Sequence, residues 1–355
     1  MKDVLKKFSG KRVLVTGHTG FKGSWLALIL SHLGAEVTGY ALAPVEDNNH
    51  FDSLNLCQSI RHVIGDIRDL NSLLSTFKTC KPEFVFHLAA QALVKHSYNQ
   101  PIDTFSTNMM GSANVLESVR QESSVRSLVY ITSDKCYENN EWIWGYREND
   151  RLGGFDPYSA SKAAAEVIFS AYSRSFFSNR ADFGAATARA GNVIGGGDWA
   201  KDRIVPDCIR AIRANTPLIL RNPTATRPWQ HVLEPLSGYL KLAMHLFESP
   251  SLFTGSWNFG PSSVQPRTVL EVAKCIFDTI GQGEIVVSDE IEHQHEAQLL
   301  QLNCDKANQI LMWHPRWDVN STLQQTADWY QAVLSGGNVK DVTMSQIKQY
   351  FHELK

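Results

Sequence analysis

The sequence predicts an α/β protein, a doubly wound parallel sheet with a smaller C-terminal lobe. Three observations lead there. Short, β-branched apolar runs alternate with stretches of helical periodicity through the first half of the chain. A glycine-rich turn joins the first of those runs to the first helical stretch. Beyond residue 190 the rhythm breaks into polar, glycine-containing loops with short elements between them. With 355 residues and 43% hydrophobic content, the chain has the material for a sizeable core.

Taken in order, "MKDVLKKFSGKR" interleaves lysines with apolar residues and reads as a solvated lead-in helix, not a nucleic-acid-binding arm. It also lacks the apolar stretch and small-residue cleavage site of a secretory signal. "RVLVT" is the first strand, ending at "GHTG", and "SWLALILSHL" is a helix that Gly34 closes. "AEVTGYA", "HVIGD", "EFVFHLA" and "SLVYIT" are strands two to five. Helices fall around "DLNSLLSTFKTC" and "DTFSTNMMGSANVLESVRQ", and the long helix "DPYSASKAAAEVIFSAYSRSFF" precedes a sixth strand, "GAATARA". After "GNVIGGGDWAKDRIVP" come a helix, "DCIRAIRAN", and the loop "RNPTATRPWQHV".

Composition excludes several classes. Thirty-four basic against 36 acidic side chains leave a net charge of −2, too little for a field that would hold nucleic acid or an anionic membrane. No run approaches the ~20 apolar residues of a membrane span. Six cysteines without a CxxC pair suit reduced thiols in a cytoplasmic protein. His293 and His295 in "EHQHEA" have no cysteine or further histidine nearby, so a polar loop is expected there and no metal site.

Ligands of such sheets bind outside the carboxyl ends of the strands. The first such end carries Gly17, Gly20 and Gly23 as "GHTGFKG", a Rossmann-type GxxGxxG turn whose glycines let the backbone approach a pyrophosphate at a helix N-terminus. Phe21 lies in the same turn. His18 and Lys22 stand where apolar residues are usual, and either touch the dinucleotide or face water. Asp66, followed by Ile67, either accepts from an adenine amine or caps the next helix. Ala89 and Ala90 after strand four are small enough to admit the dinucleotide. The second strand ends "TGYALAP" without the acid that commonly binds the adenosine ribose; Glu46 and Asp47 come several residues later. With no arginine there either, NAD is expected over NADP.

Tyr158 and Lys162, in "YSASK", share one helix face. A phenol of ordinary pKa near ~10 is a poor base at neutral pH unless a nearby ammonium stabilises its anion. In that pairing the tyrosine can draw a hydroxyl proton during hydride transfer. Alone, such a spacing is common on solvated helices; the upstream nucleotide turn gives it chemical meaning.

The order of these features resembles the extended short-chain dehydrogenase/reductase family over nearly the whole chain: GxxGxxG after strand one, a Ser/Thr after strand five, then YxxxK opening a long helix. "TSDKCYENNEWIWGYRENDRLGGFDPYSASKAAAE", "RAGNVIGGGDWAKDRIVPDCIRA" and "RPWQHVLEPLSGYL" are most similar to the sugar-nucleotide dehydratases within it. The resemblance implies an NAD-binding Rossmann domain over 1–188, with segments near 230–255 returning to it. It implies a mainly sugar-nucleotide-binding domain over 189–355, a homodimer or dimer of dimers built through long helices, and a role in deoxysugar synthesis. Where such enzymes carry Ser/Thr, Asp and Glu, this chain has Ser133, Asp134 and Lys135.

In the reaction so implied, Tyr158, helped by Lys162 and Ser133, takes the C4 hydroxyl proton, and Asp134 protonates the departing C6 hydroxyl; otherwise Asp134 is a loop cap. Lys135 is expected to take the C5 proton as a free amine. The alternatives are an ammonium that stabilises the enolate and a lysine that points to solvent. Asn192 is expected on the diphosphate with Arg227, and Arg189 either joins them or belongs to a structural ion pair. A 4-epimerase and a non-catalytic NAD-sensing protein are the rival functions. The Asp134–Lys135 pair speaks against the first, and the intact Ser133, Tyr158 and Lys162 against the second.

Overall fold

The computed structural model describes residues 2–44, 49–261, 266–288 and 299–352. Residues 46, 47, 293 and 295, weighed above, lie outside that range. Seven parallel strands form the central sheet: β1 (Arg12–Thr16), β2 (Glu36–Ala41), β3 (Arg61–Ile64), β4 (Phe84–His87), β5 (Ser127–Ile131), β6 (Gly184–Ala190) and β7 (Gly255–Phe259). Their order across the sheet is β7-β6-β5-β4-β1-β2-β3, so the winding reverses between β1 and β4 and opens a crevice there.

Side chains alternate between the two faces of these buried strands. Val13, Val15, Val129 and Ile131 point to one face, where α1 (Phe21–His32) and a later helix, Leu233–Glu248, complete the core. Leu14, Leu128 and Tyr130 point to the other, against α2 (Leu70–Cys80), α3 (Ser112–Gln121) and α4 (Pro157–Tyr172). Helix α1 is apolar almost all round, with eight consecutive buried residues from Gly23 to Leu30, because it is covered on every side.

The first six strands fall where their apolar runs predict. The seventh does not announce itself: "GSWNF" lacks a β-branched run, and it forms because Trp257 and Phe259 are buried and its backbone completes the open edge of β6. The predicted helix over "DTFSTNMMGSANVLESVRQ" is continuous but contains a π-helical turn at Ser106–Gly111. In the C-terminal part of the chain, helix Val269–Ile280 packs on α5 (Ile204–Ala214) and, on another side, on helix Val319–Leu334. Its last helix, Val339–Tyr350, returns to the first lobe, where the Thr343 hydroxyl is 3.3 Å from His50 Nε2.

Candidate active site

A cleft of about 1750 Å3 runs across the carboxyl ends of β1, β4, β5 and β6 and under the loop that leads into α5. At its floor Gly17 adopts φ +76°, and a Cβ there would stand 2.6 Å from the Ala89 nitrogen; one on Gly23 would stand 2.1 Å from the Gly17 carbonyl oxygen. Only glycine allows the turn to close so tightly on the segment after β4. Gly20, at the N-cap of α1, places no side chain over the helix end, which leaves its first N–H groups open to an anion. This close-fitting, uncapped turn fits the pyrophosphate of a dinucleotide, with Phe21, Lys22, Ala89 and Ala90 in the cleft wall.

Asp66 and Ile67 also line the cleft. The helix-cap reading of Asp66 gives way here: Asp69 caps α2, accepting from the Ser72 N–H at 3.0 Å. Asp66 instead accepts from Arg68 Nη2 at 2.6 Å and Nε at 2.8 Å, and those bonds hold its carboxyl below the usual range. His18 neither faces water nor lies open to the cleft. It is fully buried, its Nε2 lies 2.6 Å from His62 Nδ1, and burial pushes its pKa down to about 3. Tight contact with Gly39 of β2, where an added Cβ would sit 2.3 Å from the His18 ring, explains the exclusion.

Ser133, two residues beyond β5, is extended and caps a single 3-10 turn, Asp134–Cys136. Its hydroxyl donates to Asp134 Oδ1 at 3.0 Å and accepts from the Lys135 N–H at 3.3 Å. Asp134 is 3% exposed, whereas Lys135 is half-buried in the cleft wall. Helix α4 packs directly against this turn. Asp156 caps it by accepting from the Ser159 N–H at 3.0 Å, and Pro157 begins it. Tyr158 and Lys162 thus enter the same cleft, at 8% and 7% exposure, with Lys162 Nζ 5.9 Å from the tyrosine ring centroid.

Charge is concentrated around the phenol. Burial pushes Tyr158 up to about 12; a Ser133 hydrogen bond and the Arg203 charge act against this, while Asp134 and Asp156 add to it. Lys162 is pushed down to about 8 by burial and then by Lys22, with Cys136 and Glu166 opposing. Lys22 itself is lowered to about 8 by burial and Arg203, against Asp134 and Asp198. Its side chain thus lies within the electrostatic reach of Asp134, Arg203 and Lys162. Arg203, ion-paired to Asp198 at 2.9 Å, carried no role in the sequence reading. Its segment "DWAKDR" has no recognisable spacing to Tyr158, and only the loop's path over the sheet brings the two together.

On the far side, Asn192 and Arg227 line the cleft. Arg227 donates to the Thr226 carbonyl at 2.8 Å. Arg189 does not join them. Its five N–H groups are all occupied: Nε and Nη2 on Glu166 at 2.9 and 2.7 Å, Nη1 on the Tyr137 hydroxyl at 2.7 Å and the Glu148 carbonyl at 3.0 Å, and Nη2 again on Ser256 at 3.0 Å. The diphosphate expectation for Arg189 is thus corrected to the ion-pair reading.

A cleft that joins a dinucleotide turn to a Ser-Asp-Lys and Tyr-x-x-x-Lys constellation defines a class of enzymes acting on nucleotide sugars, and residues 14–326 match the GDP-mannose 4,6-dehydratase family model. The chain belongs to that family of NAD-dependent sugar dehydratases. It is similar to the CDP-glucose 4,6-dehydratase of Salmonella typhimurium, at 48% identity over 97% of both chains. Among solved structures, the UDP-glucose 4-epimerase of Thermus thermophilus in complex with NAD matches at TM-score 0.76 and 26% identity, covering 90% of this chain and 99% of the other. The Thermotoga maritima UDP-glucose 4-epimerase with UDP-glucose, 21% identical with a TM-score of 0.78 over 91% and 99% of the two chains, shares the fold.

Proposed function

We propose that this protein converts CDP-D-glucose to CDP-4-keto-6-deoxy-D-glucose, a hydro-lyase reaction of deoxysugar synthesis of the kind that serves O-antigen and other surface polysaccharides. The observation that carries this is that Asp134, Lys135, Tyr158 and Lys162 line one cleft, the turn that carries the first two packed against the helix that carries the others. NAD, held by Gly17, Gly20, Gly23, Lys22, Asp66, Ile67, Ala89 and Ala90, supplies when bound a reversible hydride acceptor for the sugar.

Tyr158 takes the proton of the C4 hydroxyl, with Ser133 hydrogen-bonded to its oxygen, the Arg203 cation favouring its anion and Lys162 Nζ 5.9 Å from its ring centroid. The C4 ketone so formed acidifies the hydrogen at C5. Lys135 removes that proton as a free amine, and Asp134, from its buried position beside Ser133, donates to the C6 hydroxyl as it leaves as water; the C5–C6 double bond so formed would take back at C6 the hydride lost from C4, and a proton at C5, to give the 4-keto-6-deoxy sugar. Asn192 and Arg227 hold the diphosphate, for which a guanidinium fork is well shaped. The C-terminal part from 189 mainly carries the nucleotide sugar, and 1–188 with the returning helix and strand near 230–255 carries NAD. The protein is expected to work in the cytoplasm as a homodimer or dimer of dimers; Met110, Val167 and Phe176, exposed apolar residues in and around α3 and α4, suit a helix-to-helix contact.

A panel of CDP-, UDP-, dTDP- and GDP-glucose incubated with the protein and NAD, read by mass spectrometry, tests the assignment. Loss of one water from CDP-glucose in preference to the others is expected. Isomerisation without mass change would instead indicate a 4-epimerase.

A further inference from the structure

Glu166 is four residues beyond Lys162, as Lys162 is four beyond Tyr158, so the three share one face of α4. Its side chain is 1% exposed and meets Arg189, 2% exposed, through a two-point ion pair. The same carboxylate accepts from Thr132, the residue before Ser133, and from Thr187 of β6 at 2.9 Å. One side chain on the helix of Tyr158 and Lys162 is therefore bonded to the residue just after β5, which leads into the Asp134 turn, and to the middle of β6. Arg189 extends the connection to Tyr137, at the end of the Asp134–Cys136 turn, and Tyr137 donates onward to Asn258 of β7 at 2.8 Å.

We propose that Glu166 is a positioning residue for the dehydration: it sets the rotation and depth of α4 against the ends of β5 and β6, and it supplies the negative charge that faces Lys162 from its own helix. This rests on the function proposed above. The groups facing Lys162 from its surroundings are Lys22 from the glycine turn, Cys136 from the turn after β5 and His87 from β4, together with Tyr158 and Glu166 on α4. Cys136 and Glu166 both oppose the Lys22 cation, and since burial holds the Cys136 thiol well above its ordinary value, the Glu166 carboxylate is the standing charge that favours the Lys162 ammonium. A buried bidentate carboxylate–guanidinium pair also has a defined geometry, so a shorter or neutral side chain at 166 cannot keep all of these bonds.

The test compares wild type with Glu166→Gln, Glu166→Asp and the double variant Glu166→Gln/Arg189→Gln, which leaves no unpaired buried charge. Each is assayed with CDP-glucose and NAD across pH. For Glu166→Gln, kcat is expected to fall about 10²-fold, the scale of a small misplacement of reacting groups, with KM nearly unchanged. The alkaline limb of its kcat profile is expected to move to lower pH, since Lys162 loses its ammonium sooner. Glu166→Asp should recover part of kcat and of the limb, and the double variant should fold and keep both defects. A folded double variant with wild-type kcat and an unmoved limb overturns the inference, as does a loss confined to thermal stability. An inactive wild type overturns the proposed function and this inference with it.

Discussion

At the scale of single residues, the question is why a lysine follows Asp134 where related dehydratases carry a carboxylate. Lys135 is half-buried in the cleft wall beside a buried acid. A guanidinium stays protonated at any working pH, so Lys135→Arg keeps the charge but removes the base. Its kcat is expected to fall by about 10²-fold or more, the usual contribution of a general base, while Lys135→Glu should retain more turnover with an acid-shifted profile. An active arginine variant would assign Lys135 to enolate stabilisation. Lys162 offers a second test. Burial and Lys22 lower it to about 8, so its ammonium is present below that pH and lost above it. Turnover is expected to decline as pH rises through about 8, and a profile that stays flat well beyond would separate Lys162 from the chemistry.

At the scale of elements, the two carboxylates after β3 divide their labour. Asp69 caps α2 and Asp66 holds Arg68 at the cleft. Asp69→Ala is expected to cost about 1 kcal/mol of stability, the typical value of an N-cap, with little effect on NAD affinity; Asp66→Ala should weaken NAD binding and leave stability close to wild type. Thermal unfolding and NAD titration of both variants check this, and a reversal of the two effects would contradict the assignment. The division was not legible in the sequence, because both residues stand within one turn of the helix start. Strands β1 to β6, by contrast, were legible from their apolar runs, and the glycine turn from its place between a strand and a helix. Strand β7 was not, since "GSWNF" becomes a strand only through the edge of β6 that receives it. The roles of Arg203 and Glu166 were equally hidden. Each is defined by partners that the fold supplies, Asp198 and Tyr158 for the first, Thr132 and Arg189 for the second.

At the scale of the whole molecule, four histidines are buried and held neutral. His18, His50, His87 and His231 are each lowered to about 3, in every case first by burial. In the unfolded chain each would protonate near the ordinary ~6.5, so below that pH the unfolded state binds more protons and the folded state loses stability progressively down to about 3. One pH unit below the unfolded value, the loss is about 1.4 kcal/mol for each histidine, several kcal/mol together. Denaturant midpoints are therefore expected to fall steeply between neutral pH and about pH 5.5. A midpoint constant over that interval would mean that these histidines are not neutral in the folded protein.

The chemistry as a whole requires that water leave across C5 and C6 while the sugar ends no more oxidised overall than it began. Incubation of CDP-glucose with the protein and NAD in heavy water, followed by NMR of the product, reads both at once. A 4-keto-6-deoxy sugar with deuterium from solvent at C5, formed without net consumption of NAD, is the expected result. Unchanged glucose, or a galactose epimer with hydrogen retained at C5, would contradict the dehydratase mechanism.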